Sequence, residues 1–116
     1  MSGKFYVVHP QVQRQLISLH RLITSKDRPG LTNLIRTAKE IDITLPLRGV
    51  TALSLTLYLK LPDMTRDVLT LAHKLGQSWR ALNLSSTDNA GRRETPLTTA
   101  ARMGLMDATV MMLHYK

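Results

Sequence analysis

The sequence predicts an all-α fold of stacked antiparallel helix pairs, and three observations lead there. Apolar residues make up 43% of the 116-residue chain, yet the aromatic ones are only Phe5, Tyr6, Tyr58, Trp79 and Tyr115, so Leu, Ile, Val and Met must build the core. The apolar residues recur at steps of three and four, the period of one helix face. Short segments containing Pro and Gly separate these runs, which makes successive helices neighbours joined by tight loops. A chain of this length is one domain or a piece of one. It can bury roughly 65% of the surface that its unfolded form exposes, enough for a modest core.

Residues 1–9 read as an N-terminal arm, and residues 10–116 as the folded domain. Pro10 suits the first position of a helix, where a missing N–H costs nothing. Val12, Leu16, Leu19 and Ile23 then share one face. Ser25 to Gly30 is a polar loop with Pro29 and Gly30 as breakers, and Leu31, Leu34, Ile35 and Ala38 mark a second helix. Thr51 can cap a third helix through its hydroxyl, ending near Leu59. Lys60 to Asp63 is the next turn, with Asp63 as the cap of a helix reaching about Leu75. Met64, Val68, Leu71, Ala72 and Leu75 line one side of that helix, and Gly76 stops it. Gln77 to Ser86 is an enlarged connection. Thr95-Pro96-Leu97 opens a short helix closed by Gly104, and a last apolar helix runs from Ala108 to Leu113.

The turns carry a motif. Thr95-Pro96-Leu97-Thr98-Thr99-Ala100-Ala101 resembles the T-P-L-H-x-A that opens the helix pair of an ankyrin repeat. Asp88-Asn89-Ala90-Gly91 resembles the turn tip before it. Earlier in the chain, Gly49-Val50-Thr51-Ala52-Leu53 is similar to the G-x-T-P-L opening, and Ile41-Asp42-Ile43 to the A-D-V that closes the preceding repeat. The resemblance spans residues 10–116 as three repeats, about 10–43, 44–82 and 83–116. It implies an ankyrin-like solenoid of helix pairs joined by β-turn or hairpin loops. The spacing departs from the family: the two Thr openings lie 95 − 51 = 44 residues apart, against 33 in a standard repeat. The excess is expected partly between Leu59 and Asp63 and partly around Trp79. The family's His is replaced by Ser54 and Thr98, whose hydroxyls are expected to take over part of its loop-bracing role.

Composition bounds the function. No cysteine is present, which excludes disulfides and thiolate chemistry. No apolar run approaches the roughly 18 residues of a membrane span, and the N-terminus is too short in apolar residues for a signal peptide. An intracellular protein, cytoplasmic or nuclear, is the expectation. The net charge of +8, from 16 basic and 8 acidic residues, favours acidic partners. The basic residues are scattered, with Arg92-Arg93 the one adjacent pair, and no aromatics interleave with them as stacking on nucleic acid requires. A solvated basic surface and an acidic protein partner are both open, with a nucleic-acid-associated module as the alternative.

No catalytic constellation, metal-ligand spacing or cofactor motif stands out, so the chain is expected to be neither an enzyme nor a cofactor binder. His9 is placed at a helix start, and His20, His73 and His114 on helix flanks. Asp63 and Asp67 read as a cap and a first-turn acid favoured by the helix dipole.

What the resemblance implies is a non-catalytic scaffold or inhibitor that binds a protein through the turn tips and the concave face of the first helices, with a structural fragment of a longer ankyrin-repeat protein as a further alternative. The tip positions are Leu47, Arg48 and Val50 in one repeat and Asn89, Ala90, Arg92, Arg93 and Glu94 in the next. The ends of the first helices contribute Tyr58 and Leu59, then Arg102 and Met103. Tyr and Arg are enriched at binding hot spots, although Tyr58 packed inside and Arg48 and Arg93 solvated is the competing reading. Leu47 is expected to be exposed. Trp79 either fills the gap left by the long connection or stands out as an anchor. Met103, Met106, Met111 and Met112 crowd the last helices, directly before Lys116. One side of Val110–Tyr115 is therefore expected to be exposed and apolar, awaiting a partner, a second copy or further repeats.

Overall fold

The structure is a computed structural model that describes residues 10–38, 41–88 and 90–115, with side chains from Arg14 onward. Its elements are α1 (Pro10–Thr24), α2 (Arg28–Thr37), α3 (Ala52–Tyr58), α4 (Pro62–Lys74), α5 (Ser78–Asn83), β1 (Ser86–Thr87), β2 (Arg93–Glu94), α6 (Pro96–Arg102) and α7 (Met106–Tyr115). The protein is mostly helical, as its periodicity predicts.

One connection is used four times. The chain leaves α1, α3, α4 and α6 through a residue in the left-handed region: Lys26 (φ 59°), Lys60 (φ 56°), Gly76 (φ 70°) and Gly104 (φ 72°). In each case that residue's N–H donates to the carbonyl three positions back, as in Lys60 to Leu57 and Gly104 to Ala101. The next N–H donates five back, as in Leu61 to Thr56 and Leu105 to Ala100. This double bond satisfies carbonyls that a helix end otherwise leaves orphaned. It also turns the chain back within three residues.

Three of these links produce a helix pair packed on itself: α1 with α2, α3 with α4, and α6 with α7. The first helices also pack in succession, α1 on α3 and α3 on α6. The second helices do the same, α2 on α4 and α4 on α7. The core lies between the two rows. Leu19 and Ile23 of α1, Leu31 of α2, and Val68, Leu69, Leu71 and Ala72 of α4 are wholly buried. Of the faces predicted from spacing, Leu16, Leu19, Ile23, Leu31, Ala38, Met64, Val68, Leu71 and Ala72 are buried, Leu34, Ile35 and Leu75 are half-buried, and the Val12 side chain lies outside the described residues.

Several boundaries differ from the sequence reading, each for a local reason. Pro29 and Gly30 do not break the chain; they form the first turn of α2 behind Asp27, whose carboxylate accepts from the Gly30 N–H at 3.0 Å. A Cβ at Gly30 would stand 2.6 Å from Leu22 Cδ2 and 2.7 Å from the Asp27 carboxylate, so a larger residue there would displace both side chains. Asp63 is not a cap. The helix begins at Pro62, Leu61 occupies the cap position without a side-chain bond, and Asp63 sits in the first turn, 3.9 Å from Arg28.

The link after α3 has the same length as the others, so none of the excess spacing sits there. The left-handed link residues are 60 − 26 = 34 and 104 − 60 = 44 residues apart. The difference falls in the segment that holds α5, a helix that was expected to be loop. α5 packs on α4 and α6 through Ala81. The expected repeat boundary at 82/83 lies inside its last turn.

Candidate protein-binding face

Two turn tips stand side by side. In the first, Leu47 and Val50 exchange both backbone hydrogen bonds, at 2.9 and 3.1 Å, around Arg48 (φ 54°) and Gly49 (φ 81°). Two successive left-handed residues make the tightest hairpin turn available. In the second, β1 and β2 pair antiparallel, Ser86 with Glu94 and Thr87 with Arg93. Asp88 organises its tip, accepting from the Ala90 and Arg92 N–H groups at 3.0 and 2.8 Å.

The tips are joined to each other. The Thr87 N–H donates to the Gly49 carbonyl at 2.9 Å. Ser86 completes the seam: its buried Oγ accepts from the Thr51 N–H at 2.9 Å and donates to Thr51 Oγ1 at 3.3 Å. Thr51 Oγ1 in turn accepts from the Ser54 N–H, capping α3. Ser54 Oγ itself is buried with no partner, so it does not brace the loop as expected; Ser86 does. Thr98 does take part in bracing, through a 3.0 Å contact with Thr95 Oγ1. Gln77 performs a similar service one step back, donating to the Ile41 carbonyl and accepting from the Ile43 N–H. These polar anchors were invisible in the sequence, because a lone Ser or Gln in a loop carries no spacing signal.

The second tip is tied to the end of α6 by Arg102, whose Nε lies 2.8 and 3.1 Å from the two Glu94 carboxylate oxygens. Arg92 stands 3.8 Å from Asp88. Tyr58 faces this cluster from α3. Burial raises its phenol pKa first, the carboxylates of Asp88 and Glu94 raise it further, and the Arg102 charge opposes them. Its ring is half-buried and its hydroxyl is covered without a partner.

The structure therefore gathers Tyr58, Arg92 and Arg102 with Asp88 and Glu94. Arg48 and Arg93 are exposed on their respective tips. Leu59 and Met103 sit at the starts of two links, Leu59 37% exposed and Met103 half-buried. Leu47 and Val50 are both half-buried; Leu47 is not the exposed apolar residue that was expected, because its hairpin folds it back against Val50. Asn89 lies outside the described residues.

One open reading is decided and one expectation changes. Trp79 is 76% exposed, an outward-facing side chain rather than a filler, because α5 turns Ala81 to the interior. His20 is buried rather than flanking, since it follows Leu16 by four and precedes Ile23 by three on the interior stripe. Burial lowers its pKa. Among the described residues no three His, Asp or Glu side chains come together as metal ligands, and no helix is long and apolar enough to cross a membrane. Comparison with protein-family models, with curated proteins and with solved structures returns no match.

Proposed function

We propose that this chain is a short, divergent ankyrin-like module that works as a non-catalytic protein-binding scaffold or inhibitor. The observation that carries the reading is the tip seam: two hairpin tips bonded to one another through Thr87 and Gly49, beside first helices packed in succession. Such a seam holds the tip side chains at fixed spacing, and a preorganised surface loses less entropy on binding. The side chains offered are Tyr58, Leu59, Arg48, Arg92, Arg93 and Arg102. Arg102 and Arg92 are already neutralised within the cluster, so Arg48 and Arg93 supply the outward charge for an acidic or mixed partner.

A pull-down with the intact chain and with an Arg48→Asn/Leu59→Ser/Arg93→Glu variant tests this. Arg48 and Arg93 are exposed and Leu59 is 37% exposed, so the variant should stay folded, with its melting temperature lowered by no more than about 5 °C. A protein retained by the intact chain and lost by the variant, with nuclease present and at moderate salt, supports the scaffold. Material retained equally by both, and released by salt or nuclease, would move the function to nucleic acid, whose binding weakens steeply with salt.

A further inference from the structure

α7 carries a second surface, away from the turn tips. Met106, Val110 and Leu113 are 74%, 59% and 53% exposed. At 100° per residue they fall within about 60° of one another on the helix, a continuous apolar stripe along its whole length. The helix buries Ala108 and Met112 on the opposite side, against α6 and α4. Asp107 and His114 are also exposed. Seven residues apart, they share one flank of the stripe, the acid in the first turn and the imidazole in the last.

We propose that this face binds a second copy of the same chain, α7 against α7, antiparallel about a two-fold axis near Val110. Charge complementarity selects both the occupant and the direction. A two-fold axis perpendicular to the helices keeps the polar flank of each copy on the same side and reverses its direction. Asp107 of one copy then meets His114 of the second copy, and the contact occurs twice. The carboxylate accepts from the imidazole N–H whether the ring is neutral or protonated. A parallel pairing puts the two flanks on opposite sides and leaves both groups unmatched. The apolar stripe is self-complementary in the same operation, Met106 meeting the Leu113–His114 end and Val110 meeting its own equivalent, as a two-fold interface demands. One short helix on each side is smaller than the roughly 1,200 Å² at which stable interfaces begin. The dimer is therefore weak, with a dissociation constant of about 10–100 µM.

Sedimentation equilibrium across that range, on the full chain, is the test. The intact chain should shift from monomer to dimer, and Val110→Glu should remain monomeric with an unchanged melting temperature. Asp107→Lys alone should weaken the dimer at least fivefold, and Asp107→Lys/His114→Asp should restore it to within about threefold, because the swapped pair still meets across the axis. The chain has no cysteine, so Val110→Cys adds a single thiol beside the axis. It should oxidise to a covalent dimer far faster than Ile17→Cys, a partly exposed position on α1. A chain that stays monomeric throughout overturns the proposal. So does a charge swap that fails to restore association, or equal cross-linking at both positions with growth to higher oligomers, which would mean open-ended stacking instead.

Discussion

α4 and α7 hold the same place in their helix pairs and follow links of the same length and geometry, yet their fates differ. α4 buries Met64, Thr65, Val68, Leu69, Leu71 and Ala72. α7 is richer in apolar residues but buries only Ala108 and Met112. The cause is the neighbourhood. α4 packs against α2, α3, α5 and α7, whereas α7 makes its main contacts with α4 and α6 among the described residues. Burial is set by what packs on a helix, and composition only says what could be buried.

The sharpest way to break this comparison is to remove the same kind of mass from each helix. Leu69→Ala in α4 should cost about 3 kcal/mol in urea unfolding, the transfer loss plus a cavity that rigid neighbours do not fill. Val110→Ala in α7 should change stability by less than about 0.5 kcal/mol at concentrations where the chain is monomeric. Similar losses at the two sites would mean that α7 is covered.

The helix caps offer a smaller contrast. Thr51 and Thr95 occupy equivalent positions before α3 and α6. Thr95→Ala loses a long, exposed 3.4 Å cap bond and should cost about 0.5–1 kcal/mol. Thr51→Ala also removes the acceptor of the buried Ser86 O–H, whose oxygen keeps its bond from the backbone N–H at position 51, and should cost about 1–2 kcal/mol. A Ser86→Ala/Thr51→Ala cycle should then show coupling between the two residues, and strict additivity would dissolve the tip seam.

The links themselves should answer with opposite signs. Gly104→Ala forces a Cβ into the left-handed region and should cost about 1 kcal/mol. Lys60→Gly relieves that strain at the matching link but frees the unfolded chain, for a net gain of about 0.5 kcal/mol. Chemical denaturation of both variants resolves the signs.

The smallest effect expected is on pH. His20 has its folded pKa lowered by burial, from an ordinary 6.5. Above that value both folded and unfolded chains hold the ring neutral, and the linkage is silent. As pH falls below it, the unfolded chain takes up a proton that the folded chain resists. Stability should therefore decline from about pH 7 towards pH 5. The difference between the intact chain and His20→Leu isolates this slope; identical slopes would show that the ring is free to protonate in the folded state.

Much of the helical layout was legible. The Leu16, Leu19 and Ile23 spacing marked the inner face of α1. The Gly76 and Gly104 stops were readable because glycine favours the left-handed region that ends a helix. The turns around Lys26 and Lys60 were also readable, but not that these two residues take the same left-handed conformation, because neither is a glycine. α5 was missed because its six residues carry one interior side chain, Ala81, and no period can be read from a single position. The candidate face was legible as residue types at tips and helix ends. The pairing of Arg102 with Glu94 and of Arg92 with Asp88, which leaves Arg48 and Arg93 to supply the outward charge, was not.

By itself the sequence determined where every helix but α5 forms and which faces are apolar, because period and capping are local properties of a few adjacent residues. Tertiary structure alone decided which apolar faces find a neighbour. It turned Trp79 outward and made Ser86 the pin between two tips. Each of these depends on chain segments far apart in sequence arriving at one place, and no short window of residues encodes that meeting.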